Sequence, residues 1–135
     1  MPYIDIFNGD ADGILALHQL RLTNPHKSRL ITGVKRDTKL LQYALSTHGS
    51  VITVLDISSH ANREPLLQLL NQGNTIHYFD HHFAGKIVEN SLFHSHIDTS
   101  PSVCTSILVD RYLEGKYRLW AVAAAFGDNL HSSAL

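Results

Sequence analysis

Apolar and polar positions along this chain switch between two periods, one suited to strands and one to helices. Residues 3–7 form a short β-prone run, and Ile14, Leu15, Leu17, Leu20 and Leu22 then recur at roughly helical spacing until Asn24-Pro25 stops the pattern. A second strand is predicted at 30–34. Leu40, Leu41, Ala44 and Leu45 follow it as a helix closed by Gly49, with Asp37 or Thr38 as the expected cap. Residues 51–55, then Leu66, Leu67, Leu69, Leu70 and Gly73, make a third unit, and 75–79 a fourth strand. A fifth strand is expected from Leu92-Phe93 through Ile97. Ser100-Pro101 has the form of an N-cap followed by proline at the first helical position, opening a helix that ends near Gly115. A last helix is expected from about Tyr117 to Phe126. Strands alternating with helices predict an α/β fold: a single domain with a mainly parallel sheet of about five strands, helices on both faces and right-handed crossovers.

Composition narrows the function classes. At 135 residues and 44% hydrophobic content the chain has the size of one domain with one ordinary core. Its 11 lysines and arginines against 12 acidic residues lack the excess positive charge of a non-specific duplex-DNA binder. No apolar stretch approaches the roughly 20 residues that span a bilayer, and no charged-then-apolar leader opens the chain, so a cytoplasmic protein without a membrane partner is expected. The single cysteine, Cys104, cannot form an internal disulfide; it falls in an apolar helical stretch and is expected to be a small buried side chain. The ten histidines are mostly scattered.

Topology gives the acidic residues their meaning, because ligands of open parallel sheets bind beyond the carboxyl ends of the strands. Asp10, Asp12, Asp56 and Asp80 are all predicted at such ends, and Asp128 would have to be brought there by the fold. Gly9 and Gly13 flank the first pair and permit close approach of backbone to ligand. Taken singly, Asp10 and Asp12 are ordinary cap and turn residues, with Asp12 the candidate cap, and so is Asp56. Taken together with Asp80-His81-His82, they are oxygen and nitrogen donors suited to a hard or borderline divalent metal. Separate caps require no histidine pair, whereas carboxylates gathered without a cation are costly.

These motifs resemble those of the DHH phosphoesterases, which include RecJ-type exonucleases, nano-RNases, cyclic-dinucleotide phosphodiesterases, exopolyphosphatase-related enzymes and manganese pyrophosphatases. Phe7-Asn8-Gly9-Asp10-Ala11-Asp12-Gly13 is similar to the first motif, Asp56 to the second, Asp80-His81-His82 to the third and Gly127-Asp128-Asn129 to the fourth. The resemblance covers nearly the whole chain. It implies one metal held by Asp12, Asp56, His81 and Asp128, and another by Asp10 and a bridging oxygen of Asp56. The ions would be Mn²⁺, with Mg²⁺ or Co²⁺ as substitutes, and would activate water for phosphoester hydrolysis. His82 would contact a phosphoryl oxygen and Asp80 would orient an imidazole. The implied substrates are nucleotides, short oligonucleotides or other phosphoesters, with a phosphodiester or nucleotide preferred over pyrophosphate.

Two departures qualify the match. Where many relatives carry a histidine ligand this chain has Ile6, which cannot bind metal; Asn8 either substitutes weakly, facing substrate or metal, or only stabilises the turn. The chain also ends seven residues after Asp128, without the C-terminal substrate-binding lobe of the family. A fragment of a longer enzyme is therefore expected, or a minimal member whose cleft another subunit completes, a homodimer included. Such a half-site would bind metal and hydrolyse poorly. Two alternatives stand beside the enzyme: a catalytically silent metal- and nucleotide-binding module, and a phospho-receiver domain. The receiver fits Asp10, Asp12 and Asp56 but not Asp80-His81-His82. Among weaker features, His94 and His96 share one face of a strand and are expected at a solvent edge. Lys35 and Arg36 form an ordinary solvated turn within reach of phosphate. Trp120 with residues 121–125 reads as a packed helix rather than a stacking platform.

Overall fold

The computed structural model describes residues 2–34 and 36–128. Lys35 and Asn129, both named in the motifs above, lie outside the described residues. Five strands, β1 (Tyr3–Asn8), β2 (Arg29–Gly33), β3 (Val51–Leu55), β4 (Thr75–Asp80) and β5 (Phe93–Ile97), form one sheet in the order β2-β1-β3-β4-β5. Every pairing is parallel. Four α-helices accompany them: α1 (Ala11–Thr23), α2 (Arg63–Asn71), α3 (Thr105–Tyr112) and α4 (Arg118–Gly127). This is the expected α/β architecture, and its strand order is the flavodoxin type, which receiver domains share. Topology alone therefore does not separate the enzyme from the receiver; the residues at the strand ends do.

Alternation along the strands feeds two cores. Ile4, Ile6, Ile52, Val54, Ile76 and Tyr78 point to one face, where Leu66, Leu69 and Leu70 of α2 cover them together with Leu41 and Ala44. Phe7, Leu55 and Phe79 point to the other, under Ala16 and Leu20 of α1 and Val109 of α3. Ile6 is wholly buried between Ile31 and Val54 of the neighbouring strands, so its side chain is committed to packing. At the lower end of the second face the buried carboxylate of Asp5 accepts two hydrogen bonds from the Arg21 guanidinium, at 2.9 and 3.0 Å, and one from Ser28. That bidentate pair ties the end of α1 to the sheet.

Four expectations need correction. Leu40–Leu45 is not an α-helix: only Leu41–Ala44 turns, as a 3₁₀ helix whose N-cap is Leu40, so neither Asp37 nor Thr38 caps it. Side chains from α2 and its ends satisfy this segment's backbone instead: Asn62 bonds Leu41 N–H and Thr38 C=O, and Gln72 bonds the carbonyls of Leu45 and Thr47. The helix predicted from Ser100-Pro101 begins at Thr105 with Cys104 as N-cap, and residues 100–103 form a turn closed by Val103 N–H to Ser100 C=O. Asp10, not Asp12, caps α1, accepting from Gly13 N–H at 3.0 Å. Finally, α4 buries Ala121, Ala124 and Ala125, while Trp120 stands partly exposed with its ring edge-on to His18. Cys104 is buried as expected, and burial followed by the nearby Asp12 carboxylate pushes its thiol far up, away from nucleophilic chemistry.

Candidate metal centre

The carboxyl ends of β1, β3 and β4 meet the start of α1 and the end of α4 in a cleft of about 280 Å³, lined by Asn8, Asp10, Asp56, His81, His82 and Asp128 among others. Local backbone chemistry aims each group. Gly13 allows the first turn of α1 to lie against the end of β1: a Cβ there would sit 2.1 Å from the Asn8 carbonyl oxygen. Asp56 follows β3 at φ +64°, the left-handed region that aspartate and asparagine tolerate better than other non-glycine residues. This turns the chain sharply at the strand end while its N–H still donates to Phe79 C=O.

His81 is the focus of the cluster. Its Nε2 lies 3.1 Å from Asp56 Oδ1, 3.7 Å from Asp12 Oδ2 and 3.8 Å from Asp128 Oδ2. The four residues predicted from separate motifs thus converge, Asp128 arriving as the C-cap of α4. Among the described residues, two sets of donor atoms lie within 4.8 Å of one another: Asp12, His81 and Asp128; and Asp56, Asp80, His81 and His82. Asp10 is in neither set; it lines the same cleft, capping α1, and its charge reaches Asp56. Asn8 also lines the cleft, with its Oδ1 accepting Asp10 N–H at 3.3 Å, the turn-stabilising role. His82 Nδ1 is 2.6 Å from Asp80 Oδ1, so the buried Asp80 carboxylate orients this imidazole at the cleft mouth.

Two functional residues escaped the sequence reading. Asp12 is only 1% exposed, and its carboxylate accepts from Thr105 N–H at 3.0 Å and Ser106 N–H at 2.8 Å, the first amides of α3. The Ser106 hydroxyl donates to Asp12 C=O, and Thr105 Oγ1 donates to Asp56 Oδ1 at 3.1 Å. One helix N-terminus thereby fixes both carboxylates. A threonine-serine pair 93 positions from Asp12 carries no local signal; only the short polar interruption before an apolar run marks it.

The electrostatics call for a cation. Burial, helped by the charges of Asp12 and Asp10, raises the Asp56 carboxyl to about 7 against the hydrogen bond from His81. Burial works against protonation of His81, but the bond and charge of Asp56, with Asp12 and Asp80, outweigh it and lift His81 to about 9. Asp80 raises His82 through their hydrogen bond, which outweighs burial. The second Asp80 oxygen is buried without a hydrogen-bond partner. Hard carboxylate oxygens with one imidazole, crowded enough to retain protons, are a donor set that fits a divalent ion such as Mn²⁺.

Comparisons with known proteins agree with this geometry at the level of fold. No protein-family profile matches the chain, and no curated protein matches it as a sequence relative. Solved structures do. The exonuclease RecJ bound to manganese superposes on 93% of this chain with a TM-score of 0.59 at 17% identity. RecJ from Thermus thermophilus, in complex with Mn²⁺, superposes on 93% with a TM-score of 0.55 at 19% identity. The chain spans 37% and 21% of those two proteins, respectively. Among the described residues no helix is long and apolar enough to cross a membrane.

Proposed function

We propose that this chain is the DHH domain of a metal-dependent phosphoesterase that hydrolyses a phosphodiester or nucleotide phosphate. The observation that carries the reading is the convergence of Asp12, Asp56 and Asp128 on His81 Nε2 within 3.8 Å, at the strand ends of a RecJ-like fold. Asp12, Asp56, His81 and Asp128 would hold one ion, and Asp10 with Asp56 a second. A bound divalent ion supplies Lewis-acid polarisation of a phosphoryl oxygen and acidifies water. The chain's own groups do the rest. Thr105 and Ser106 hold the carboxylates at fixed spacing, and Asp80 holds His82 with Nδ1 engaged, which leaves its Nε2 for a phosphoryl oxygen. Thr38 joins the cleft to a groove of about 440 Å³ lined by Arg36, Lys39 and the exposed Tyr43. Cations and an exposed ring beside the metal cleft favour a substrate with a base and more than one phosphate, and so a short oligonucleotide or nucleotide over pyrophosphate. A further lobe or a second copy would close the open side and exclude water. The test is hydrolysis of a short single-stranded oligonucleotide by the longest natural form of the chain. Mn²⁺-stimulated release of nucleotides is expected, faster than release of phosphate from pyrophosphate. Absence of turnover with Mn²⁺, Mg²⁺ and Co²⁺ on every phosphoester tried would favour the silent binding module.

Metal affinity should depend steeply on pH. His81 lies at about 9 in the fold against 6.5 for the free group, so the stability its proton contributes is complete below 6.5 and is lost as pH rises through about 9. Asp56, at about 7 against 3.8, behaves likewise, its contribution complete below 3.8 and lost through about 7. The metal-free fold therefore weakens as pH rises through this window. The same deprotonation frees the ligand atoms, so Mn²⁺ affinity is expected to climb by about tenfold per pH unit for each proton displaced. Calorimetric titrations between neutral and alkaline pH, in buffers of different ionisation enthalpy, count those protons. A flat affinity would remove Asp56 and His81 from the ligand set.

A further inference from the structure

The face of the sheet beside its edge strand carries a second cluster of potential ligands. In the parallel register His77 of β4 lies directly opposite His94 of β5, and Phe79 opposite His96. Alternation puts all four rings on one face. The His77 and His94 rings stack with centroids 4.9 Å apart and planes 17° from parallel; His96 stacks on Phe79 at 4.6 Å, with Tyr112 edge-on to both. His94 is exposed and the other two histidines are half-buried. The connection from β4 to β5 contains no helix; α3 borders this end of the face through Tyr112, and Leu20, Arg21 and Thr23 of α1 line the same cavity as His77 and Phe79.

We propose that His77, His94 and His96 form a second, carboxylate-free site for a borderline divalent ion, with Zn²⁺ as the best match. Two imidazoles two residues apart on one strand and a third on its neighbour give a three-nitrogen donor set, the composition of open His₃ zinc sites. Imidazole selects Zn²⁺, Ni²⁺ or Cu²⁺ over Mn²⁺ and Mg²⁺, so this site and the oxygen-rich cleft would sort metals by chemistry. Burial and then the neighbouring imidazoles of His94 and His96 hold His77 low, and burial and then His94 do the same to His96, so both offer unprotonated nitrogen at neutral pH. The rings now lie in two stacked pairs, and their nitrogens do not lie within 4.8 Å of one another. Converging them on one ion requires His77 and His94 to open their stack and His96 to turn off Phe79, so the site is assembled on binding.

The inference is independent of the proposed hydrolysis and is tested without it. Zn²⁺ is titrated calorimetrically into the parent chain and into His77→Gln, His94→Ala, His96→Ala and His81→Ala variants, with Co²⁺ absorption spectra as a second readout. The parent should bind one Zn²⁺ equivalent that survives His81→Ala and weakens at least about tenfold in each of the other three. Because His94 is exposed, its replacement leaves the fold intact and isolates the ligand effect. The Co²⁺ spectrum of that equivalent should indicate four- or five-fold nitrogen-rich coordination. Zn²⁺ binding that matches the parent in all three strand variants, or that vanishes entirely in His81→Ala, overturns the proposal.

Discussion

Asp56→Asn is expected to lower metal-stimulated hydrolysis by about 10³-fold or more while leaving the metal-free fold at least as stable as the parent. Asparagine is the informative replacement because Asp56 sits at φ +64°. Alanine there would add a backbone cost of about 1–2 kcal/mol to any loss of ligation, whereas asparagine tolerates the same conformation. The amide also keeps an oxygen for the Thr105 hydroxyl, which stands 3.1 Å away. What it removes is the charge. Asp56 is 2% exposed, and burial together with the charges of Asp12 and Asp10 makes its ionised form costly. Neutralising it relieves that cost in the absence of metal and would remove the anionic carboxylate that the proposed two-ion site needs as its bridge. Thermal melts with and without Mn²⁺ beside a hydrolysis assay separate the two effects: the metal-free midpoint should hold or rise, and the metal-induced increase should disappear. Retained activity would defeat the bridging assignment, and with it the two-ion reading, since that reading has Asp10 share its ion with Asp56.

The parts of this arrangement that were legible in sequence are those fixed by short-range pattern. Apolar runs placed all five strands, and the rule that ligands gather beyond strand carboxyl ends placed Asp10, Asp12, Asp56 and Asp80 near one another, with His81 following from the motif resemblance. The parts that were not legible are those in which a distant side chain takes over a local role. Ser100-Pro101 has every local mark of a helix start, yet α3 begins at Thr105, where Asp12 accepts the first two amides from across the fold. The capping group sits on another helix, so no window around residue 100 contains it. The 3₁₀ segment Leu41–Ala44 is the same case: Asn62 and Gln72 satisfy its backbone and remove the need for a longer helix. Asp10 and Asp12 both suit a cap, and the sequence pointed to Asp12 where the fold uses Asp10. Contact with α3 decides it by drawing Asp12 inward.

His82→Ala is expected to lower turnover by about 10²–10³-fold while changing Mn²⁺ affinity by less than about threefold. Two arrangements compete here, because His82 and Asp80 also belong to the donor set that includes Asp56 and His81. If His82 were a ligand, its removal would weaken metal binding as much as turnover. Three features favour a substrate-facing role. The side chain is 44% exposed, double the 22% of His81, and lines the cleft. Its Nδ1 is committed to Asp80 at 2.6 Å. Asp80 raises its pKa, which favours a protonated imidazole able to donate to a phosphoryl oxygen and unable to ligate through the same nitrogen. The alanine variant also strips the partner from Asp80, which is fully buried, so some loss of stability must be discounted. His82→Gln restores a donor toward Asp80 without an ionisable ring and serves as that control. A variant that folds like the parent, binds Mn²⁺ like the parent and turns over slowly assigns His82 to the substrate. Parallel loss of affinity and turnover in both variants assigns it to the metal and moves the phosphate contact elsewhere, with Arg36 in the adjoining groove the next residue to replace.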